Sequence, residues 1–290
     1  MGKSTVGILL VAIVVTAIVV DRMGERLGRL EEELSHLRGV RARLASVEAK
    51  TKTFQELHLH KKFPRKDGVL KMFRTGEVRE DIHDAVIKSE DADSNDGGGL
   101  FLETGVAQKR LVRRTLLDFP EFFSPLTEKA VIVDATLYLK QLDHGSLDDA
   151  ALDQKLNLYA VRKPWGEGNQ KSEKASNGEA TWAWARFGQT PWAKPGCSQW
   201  DLDIDHNPMA STGSDIQGGY SGWIALPFTE YGISTLQKWL ETPAMRQYGF
   251  LLKDHEENKP FTNLRFFSSE SEEIDRPYIE ILYMVPPSLD

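Results

Sequence analysis

The amino-acid sequence predicts a mainly β protein: an antiparallel, jelly-roll-like β-sandwich with one short helix, preceded by an N-terminal transmembrane helix and a helical stalk. Three observations carry that prediction. Residues 4–20 hold no charged side chain and are dominated by Val, Ile and Leu. From Met23 the apolar residues step by four and three. From about residue 84 the pattern changes to strand-length apolar runs separated by Gly, Pro, Asn and Asp, with no βαβ alternation. The expected division is an anchor over 1–21, a stalk over 22–50, a connector over 51–83 and a β-domain over 84–287.

The apolar segment sits at the lower length limit for a helix crossing a bilayer, given a rise of about 1.5 Å per residue. A cleaved signal peptide is the competing reading. It is opposed by the lack of an A-x-A-like site at the end and by the helical pattern that runs on through "VVDRMGERLGRLEEELSHL". A pilin-like N-terminus is opposed by the absence of an acidic residue within 4–20. The segment is expected to contact membrane lipid. Arg22, Arg26 and Arg29 follow it while Lys3 alone precedes it, so a positive-inside count puts the large domain in the cytoplasm.

The stalk seam comprises Met23, Leu27, Leu30, Leu34, Leu37 and Leu44. It is a short heptad pattern that suits either self-association or docking on a partner. Leu27, Leu30, Leu34 and Leu37 are its candidate partner-binding residues. Arg41 and Glu48 interrupt the seam, and Gly24, Gly28 and Gly39 each weaken the helix by about 1 kcal/mol relative to Ala. The connector is polar and basic. His58 and His60 stand there at metal-ligand spacing without an evident third ligand, which favours exposed polar residues.

Nine runs of the β-domain have strand length: "DAVIKS", "LFLETG", "VRRTLLDF", "IVDATLYLKQL", "KLNLYAVRK", "WIALPFT", "QYGFLLKD", "NLRFFSS" and "PYIEILYMV". In the fourth, Ala135, Leu137 and Leu139 are expected on one face and Thr136, Tyr138 and Lys140 on the other. "YGISTLQKWLETP" is the one helix, with Ile233, Leu236, Trp239 and Leu240 on a shared face and Pro243 closing it. The stretch from Trp165 to Tyr220 is long for a loop in a compact domain. Such loops are functional or folded on themselves, and its tryptophans are expected to pin it by burial.

The charge balance is acidic, with 36 Lys and Arg against 43 Asp and Glu. That gives no basic footprint for nucleic acid. The single cysteine, Cys197, excludes an internal disulfide. No GxSxG, HExxH or phosphate loop occurs, so a non-catalytic role is expected. Glu167 and Glu179 are the only paired acids singled out, with nothing to favour them.

Several landmarks come in a recognisable order: "DAVIKSEDADSNDGG", "RRTLLDFPEF", "IVDATLYLK", "VRKPWGEG" followed by "ATW", "PWAKPG", and then "LQKWL", "QYGFLL", "FFSSE" and "RPYIEILY". In this the chain resembles the DNRLRE-domain family over residues 84–285. These are disaggregatase-related β-sandwiches, some of them classed as carbohydrate-binding modules. "PFTEYG" before the helix departs from the family's Asp there, and the loop from Lys171 to Gly178 is expanded. The resemblance implies the sandwich fold and an extracytoplasmic, periplasmic or cell-surface habit, which is the expectation adopted over the arginine count. It leaves the ligand open.

Three groups are candidate sites. Asp91, Asp93, Asn95 and Asp96 are hard oxygen donors at the spacing of a Ca²⁺ loop. They lack the EF-hand Gly and Glu, and a solvated turn is the competing reading. Trp184, Trp192 and Trp200 are candidates for stacking on sugar rings, against a packing role. Asp201, Asp203 and Asp205 line one face if extended, which suits a charged edge strand or a metal. The expected function is a structural or accessory interaction subunit of a membrane or envelope protein complex. The alternative is a polysaccharide-binding module at the cell surface.

Overall fold

The computed structural model describes residues 69–75, 82–107, 111–142, 155–212, 222–258 and 262–285, all within the unit Arg65–Asp290. The apolar segment 4–20 and the stalk residues Leu27, Leu30, Leu34 and Leu37 lie outside the described residues. Among those described, no helix is long and apolar enough to cross a membrane.

The described chain is mainly β with one short α-helix. Its longer strands are β1 (Val69–Thr75), β2 (His83–Lys88), β4 (Phe101–Val106), β5 (Val112–Asp118), β6 (Val131–Gln141) and β7 (Leu156–Ala160), then β12 (Gly222–Pro227), β13 (Phe250–Asp254), β14 (Leu264–Phe267) and β15 (Tyr278–Val285). Short pairings intervene: β3 (Ser94–Asn95), β8 (Glu173–Lys174), β9 (Trp184–Arg186), β10 (Thr190–Pro191) and β11 (Ala210–Ser211). All nine expected runs contain a strand. β1 is an addition: it forms in a stretch read as connector, and every residue from Val69 to Thr75 is in register with β15. Its basic Lys71 and Arg74 hide the short apolar alternation that seats Phe73 against Tyr283.

Eleven strands link into one antiparallel sheet in the order β1-β15-β6-β14-β4-β5-β13-β7-β11, with β12 added on β6 and β2 on β5. β4 joins the two halves. It pairs with β14 along Phe101–Thr104 and with β5 at Gly105 and Val106.

Side-chain alternation then sorts the residues. Ala135, Leu137 and Leu139 of β6 enter a main core with Ile279 and Ile281 of β15, Leu158 of β7 and Phe250 and Leu252 of β13. On the opposite face of β6, Tyr138 stacks on Tyr278 with ring centroids 4.8 Å apart. The helix α1 (Glu230–Glu241) starts at Thr229, whose Oγ1 accepts a 3.0 Å hydrogen bond from Gly232 N. This satisfies one of the N-terminal amides. Leu236, Trp239 and Leu240 fall on one stripe at helical spacing and close the main core.

A second core lies on the other face of β2, β5, β7 and β13. It contains Ile87, Leu116, Tyr159, Val161 and Leu251. Adjacent residues such as Val86 and Ile87, or Leu116 and Leu117, therefore serve opposite cores. The long loop supplies the cover: Ala180, Ala185, Trp192, Cys197 and Ile204 complete the second core, with Trp165 and Trp182 packed against it.

Candidate functional site

The long loop keeps its shape by hydrogen-bonding its own backbone, and this explains where the predicted site residues go. Asn95 is fully buried and uses its whole amide. Nδ2 donates to Glu167 O at 2.7 Å and Ala180 O at 2.9 Å; Oδ1 accepts from Gly97 N at 3.1 Å and Gln170 N at 3.2 Å. Asp96 Oδ2 pairs with Lys88 Nζ at 2.6 Å and Ser172 Oγ at 3.0 Å. Asp91 and Asp93 are exposed. The segment thus acts as a staple between β2 and the loop. Among the described residues, no group of three or more His, Cys, Asp or Glu side chains is placed to hold a metal ion.

Asp201, Asp203 and Asp205 do not form the extended charged edge expected of them. Residues 201–203 make a turn, and Asp203 and Asp205 are buried. Asp203 accepts hydrogen bonds from Ala193 N (2.8 Å), Lys194 N (3.0 Å) and Gln199 N (3.1 Å), and faces Lys163 Nζ at 3.0 Å. Three amides and one ammonium offset the burial of its charge. Asp205 takes Arg162, the Tyr231 hydroxyl at 3.0 Å and Gln247 Nε2 at 3.3 Å. Glu179 accepts from Ser176 N at 2.6 Å and Asn169 N at 3.3 Å, while Glu167 Oε1 accepts from Asp84 N at 2.9 Å. Both glutamates hold backbone. Burial pushes the Cys197 thiol well above its ordinary value, which disfavours a nucleophilic thiolate.

The three candidate tryptophans separate. Trp192 lies in the second core and donates its indole N–H to Thr181 O at 2.9 Å. Trp184 is half-buried, edge-on to Phe187. Trp200 is 36% exposed, and beside it Leu202 is 59% exposed. The Trp200 ring meets Tyr159 at 5.3 Å and 64°, and His206 at 5.2 Å and 59°. The Lys253 ammonium lies 5.9 Å from its centroid.

This platform stands on strands. Tyr159 and Leu251 are cross-strand partners, as are Asn157 and Lys253 one step along. Asn157 Nδ2 donates to the Tyr159 hydroxyl at 3.1 Å and lies 3.1 Å from His255 Nδ1. Behind them Glu257 binds the Arg114 guanidinium through two oxygens and Lys253 at 3.3 Å. Burial, and then the Arg114 charge, hold Lys253 below its ordinary value; burial holds Tyr159 above its own. Tyr159, Asn157, Lys253 and His255 were not singled out from the sequence. The available signal was the alternation in "KLNLY" and "FLLKD", which puts polar and aromatic side chains on the same side as Trp200. A partly exposed aromatic ring, beside amide, imidazole and ammonium groups, can contact an apolar ligand face and hydrogen-bond its rim. No protein-family model matches this chain, and no curated protein matches it in sequence.

Proposed function

We propose that this chain is a non-catalytic binding protein. In this reading its β-domain is a jelly-roll-like sandwich of the DNRLRE type, held on the extracytoplasmic side by residues 4–20, and the Trp200 platform takes carbohydrate. One observation carries the reading: Trp200 keeps part of its ring open while Tyr159, His206 and Lys253 fix its position over the strands. Such rigid aromatic surfaces lose little conformational entropy on binding. The test is retention of the full chain, in mild detergent, on affinity gels carrying a panel of neutral and acidic polysaccharides. Retention by at least one gel that is lost in Trp200→Ala is expected. Retention unchanged in that variant, or none on any gel, overturns the reading.

A second reading, docking onto a membrane or envelope protein complex, is favoured by a different observation. Leu70 and Met72 are 39% and 51% exposed on β1, the strand nearest in sequence to the stalk seam. Gentle solubilisation followed by mass spectrometry tests it: partners at fixed ratio support docking, and a solitary chain opposes it.

A further inference from the structure

The main sheet ends on β1, and that edge is open. β1 heads the strand order, and among the described residues β15 is its one strand partner. Its seven residues pair with β15 without a shift in register, so the strand is regular along its length. Backbone groups that point away from β15 therefore line up with no strand opposite them among the described residues, an arrangement ready to pair with a further strand. Leu70 and Met72 lie exposed on one face of it.

Other edges of the sheet are guarded. β11 has two residues, and its Ala210 bridges to Phe228. β12 ends on Pro227. Along β2, Val86 N donates to Asp96 O at 3.3 Å and Asp84 N to Glu167 Oε1 at 2.9 Å, so loops occupy that side. β2 also turns the Asp84 carboxyl toward the main core, where burial holds it above its ordinary value. An inward charge is itself an edge guard. β1 has no Pro, Gly or bulge. Of its two cations, Arg74 is drawn back over its own sheet, 3.4 Å from the centre of the Tyr278 ring, which leaves Lys71.

The sequence of β1, "VLKMFRT", selects what fits this edge. A copy of the strand that continues the sheet antiparallel must keep side chains of like face together. The two-fold axis then passes through a residue and not between two. An axis at Lys71 sets lysine against lysine, and one at Arg74 sets arginine against arginine, which opposes like charges. Axes at Phe73 or Leu70 pair only residues 71–75 or 69–71. An axis at Met72 pairs all seven: Met72 opposes Met72, Lys71 opposes Phe73 and Leu70 opposes Arg74. No like charges meet, each cation faces an apolar side chain, and Leu70 and Met72 of both copies form one apolar group. We propose that β1 pairs with β1 of a second copy, antiparallel and centred on Met72, to make a two-fold dimer with one continuous sheet. This goes beyond both readings above. It does not draw on the Trp200 platform, and it gives to a second copy the strand that the docking reading gives to another protein.

Cysteine cross-linking reads that register. Residues directly opposed across an antiparallel pair have Cα atoms about 4.5–5.5 Å apart, within the span of a disulfide. The two Leu70 residues would stand roughly 14 Å apart, beyond it. Full-length Met72→Cys and Leu70→Cys are oxidised with copper phenanthroline in mild detergent. Wild type, whose one thiol is the buried Cys197, is the blank. Both substituted positions are exposed, so the variants keep the fold. Met72→Cys is expected to give a disulfide dimer at least about tenfold more than Leu70→Cys. No dimer in Met72→Cys, or equal yields in the two, overturns the proposal. Light scattering then weighs the protein without cross-linking. Wild type should shift toward twice the chain mass as concentration rises, since a ribbon this short buries less than the roughly 1,200 Å² of a stable interface. Met72→Glu, which sets two carboxylates face to face, should stay monomeric. A dimer that survives in Met72→Glu forms elsewhere and overturns the assignment to β1. So does a different protein held at fixed ratio and released by Met72→Glu.

Discussion

Arg114 on β5 and Glu257 beyond β13 face each other through two parallel hydrogen bonds, 2.7 Å from Nε to Oε1 and 2.6 Å from Nη2 to Oε2. Arg114 also donates to Gly196 O and lies over the Trp182 ring at 5.1 Å. One guanidinium therefore joins a sheet strand, the chain after β13 and the long loop. Arg114→Met is expected to destabilise the protein by about 2 kcal/mol, because it removes the bidentate pair and leaves the half-buried Glu257 carboxylate with Lys253 alone. Chemical denaturation followed by near-ultraviolet circular dichroism measures this. Arg114 and then Lys253 hold Glu257 below its ordinary value despite its burial. Its share of stability is present above the unfolded value of about 4.5 and is lost as pH falls through the lower folded value. Arg114→Met should remove the larger part of that acid-sensitive share and leave the part that Lys253 holds.

The Asp84 carboxyl runs the other way. Its folded value, about 7, lies above the unfolded 3.8. Its share of stability is full below pH 3.8 and is lost as pH rises to about 7, on the order of 4 kcal/mol for that shift. Wild type minus Asp84→Asn should therefore lose stability across that window. A difference that is flat with pH would remove the assignment of the shift to Asp84.

Trp192 and Trp200 should respond oppositely. Trp192→Phe leaves Thr181 O without its donor and opens space in the second core, for a loss of about 2 kcal/mol. Trp200→Ala should change stability by about 1 kcal/mol or less, since part of its surface is already in water. Denaturant midpoints of the two variants, set beside their retention on glycan gels, separate packing from binding.

Gly97 tests the seam between β2 and the long loop. A Cβ there would stand 2.1 Å from Glu167 O, a backbone atom that cannot swing aside. Gly97→Ala should cost about 2 kcal/mol and expose new cleavage sites within residues 162–209 under limited proteolysis. An unchanged digest would mean that the loop is held without this contact.

Thr229 caps α1, and removing its hydroxyl in Thr229→Ala should cost about 1 kcal/mol without altering the fold. Thermal unfolding reads the loss directly.

Sequence alone determined the nine longer strands from β2 onward and the one α-helix, but not β1 or the short pairings of the long loop. The two-residue alternation of "ATLYL" and the stripe of Leu236, Trp239 and Leu240 are local signals, set by backbone geometry that repeats every two or every 3.6 residues. Even the opposite destinations of Leu116 and Leu117 follow from that alternation, once both faces of the sheet are known to be covered. Tertiary structure decided what covers them and what the polar residues do. Asn95 binds Glu167 and Ala180, 72 and 85 residues away; Asp84 meets Ser269 across 185. Side chain to backbone hydrogen bonds over such separations carry no spacing signature. The same "DADSND" that suits a calcium loop becomes a staple because the buried amides of a folded loop need acceptors. The same "DLDID" turns inward for that reason, while Trp192 and Cys197 enter the second core and Trp200 stays 36% exposed.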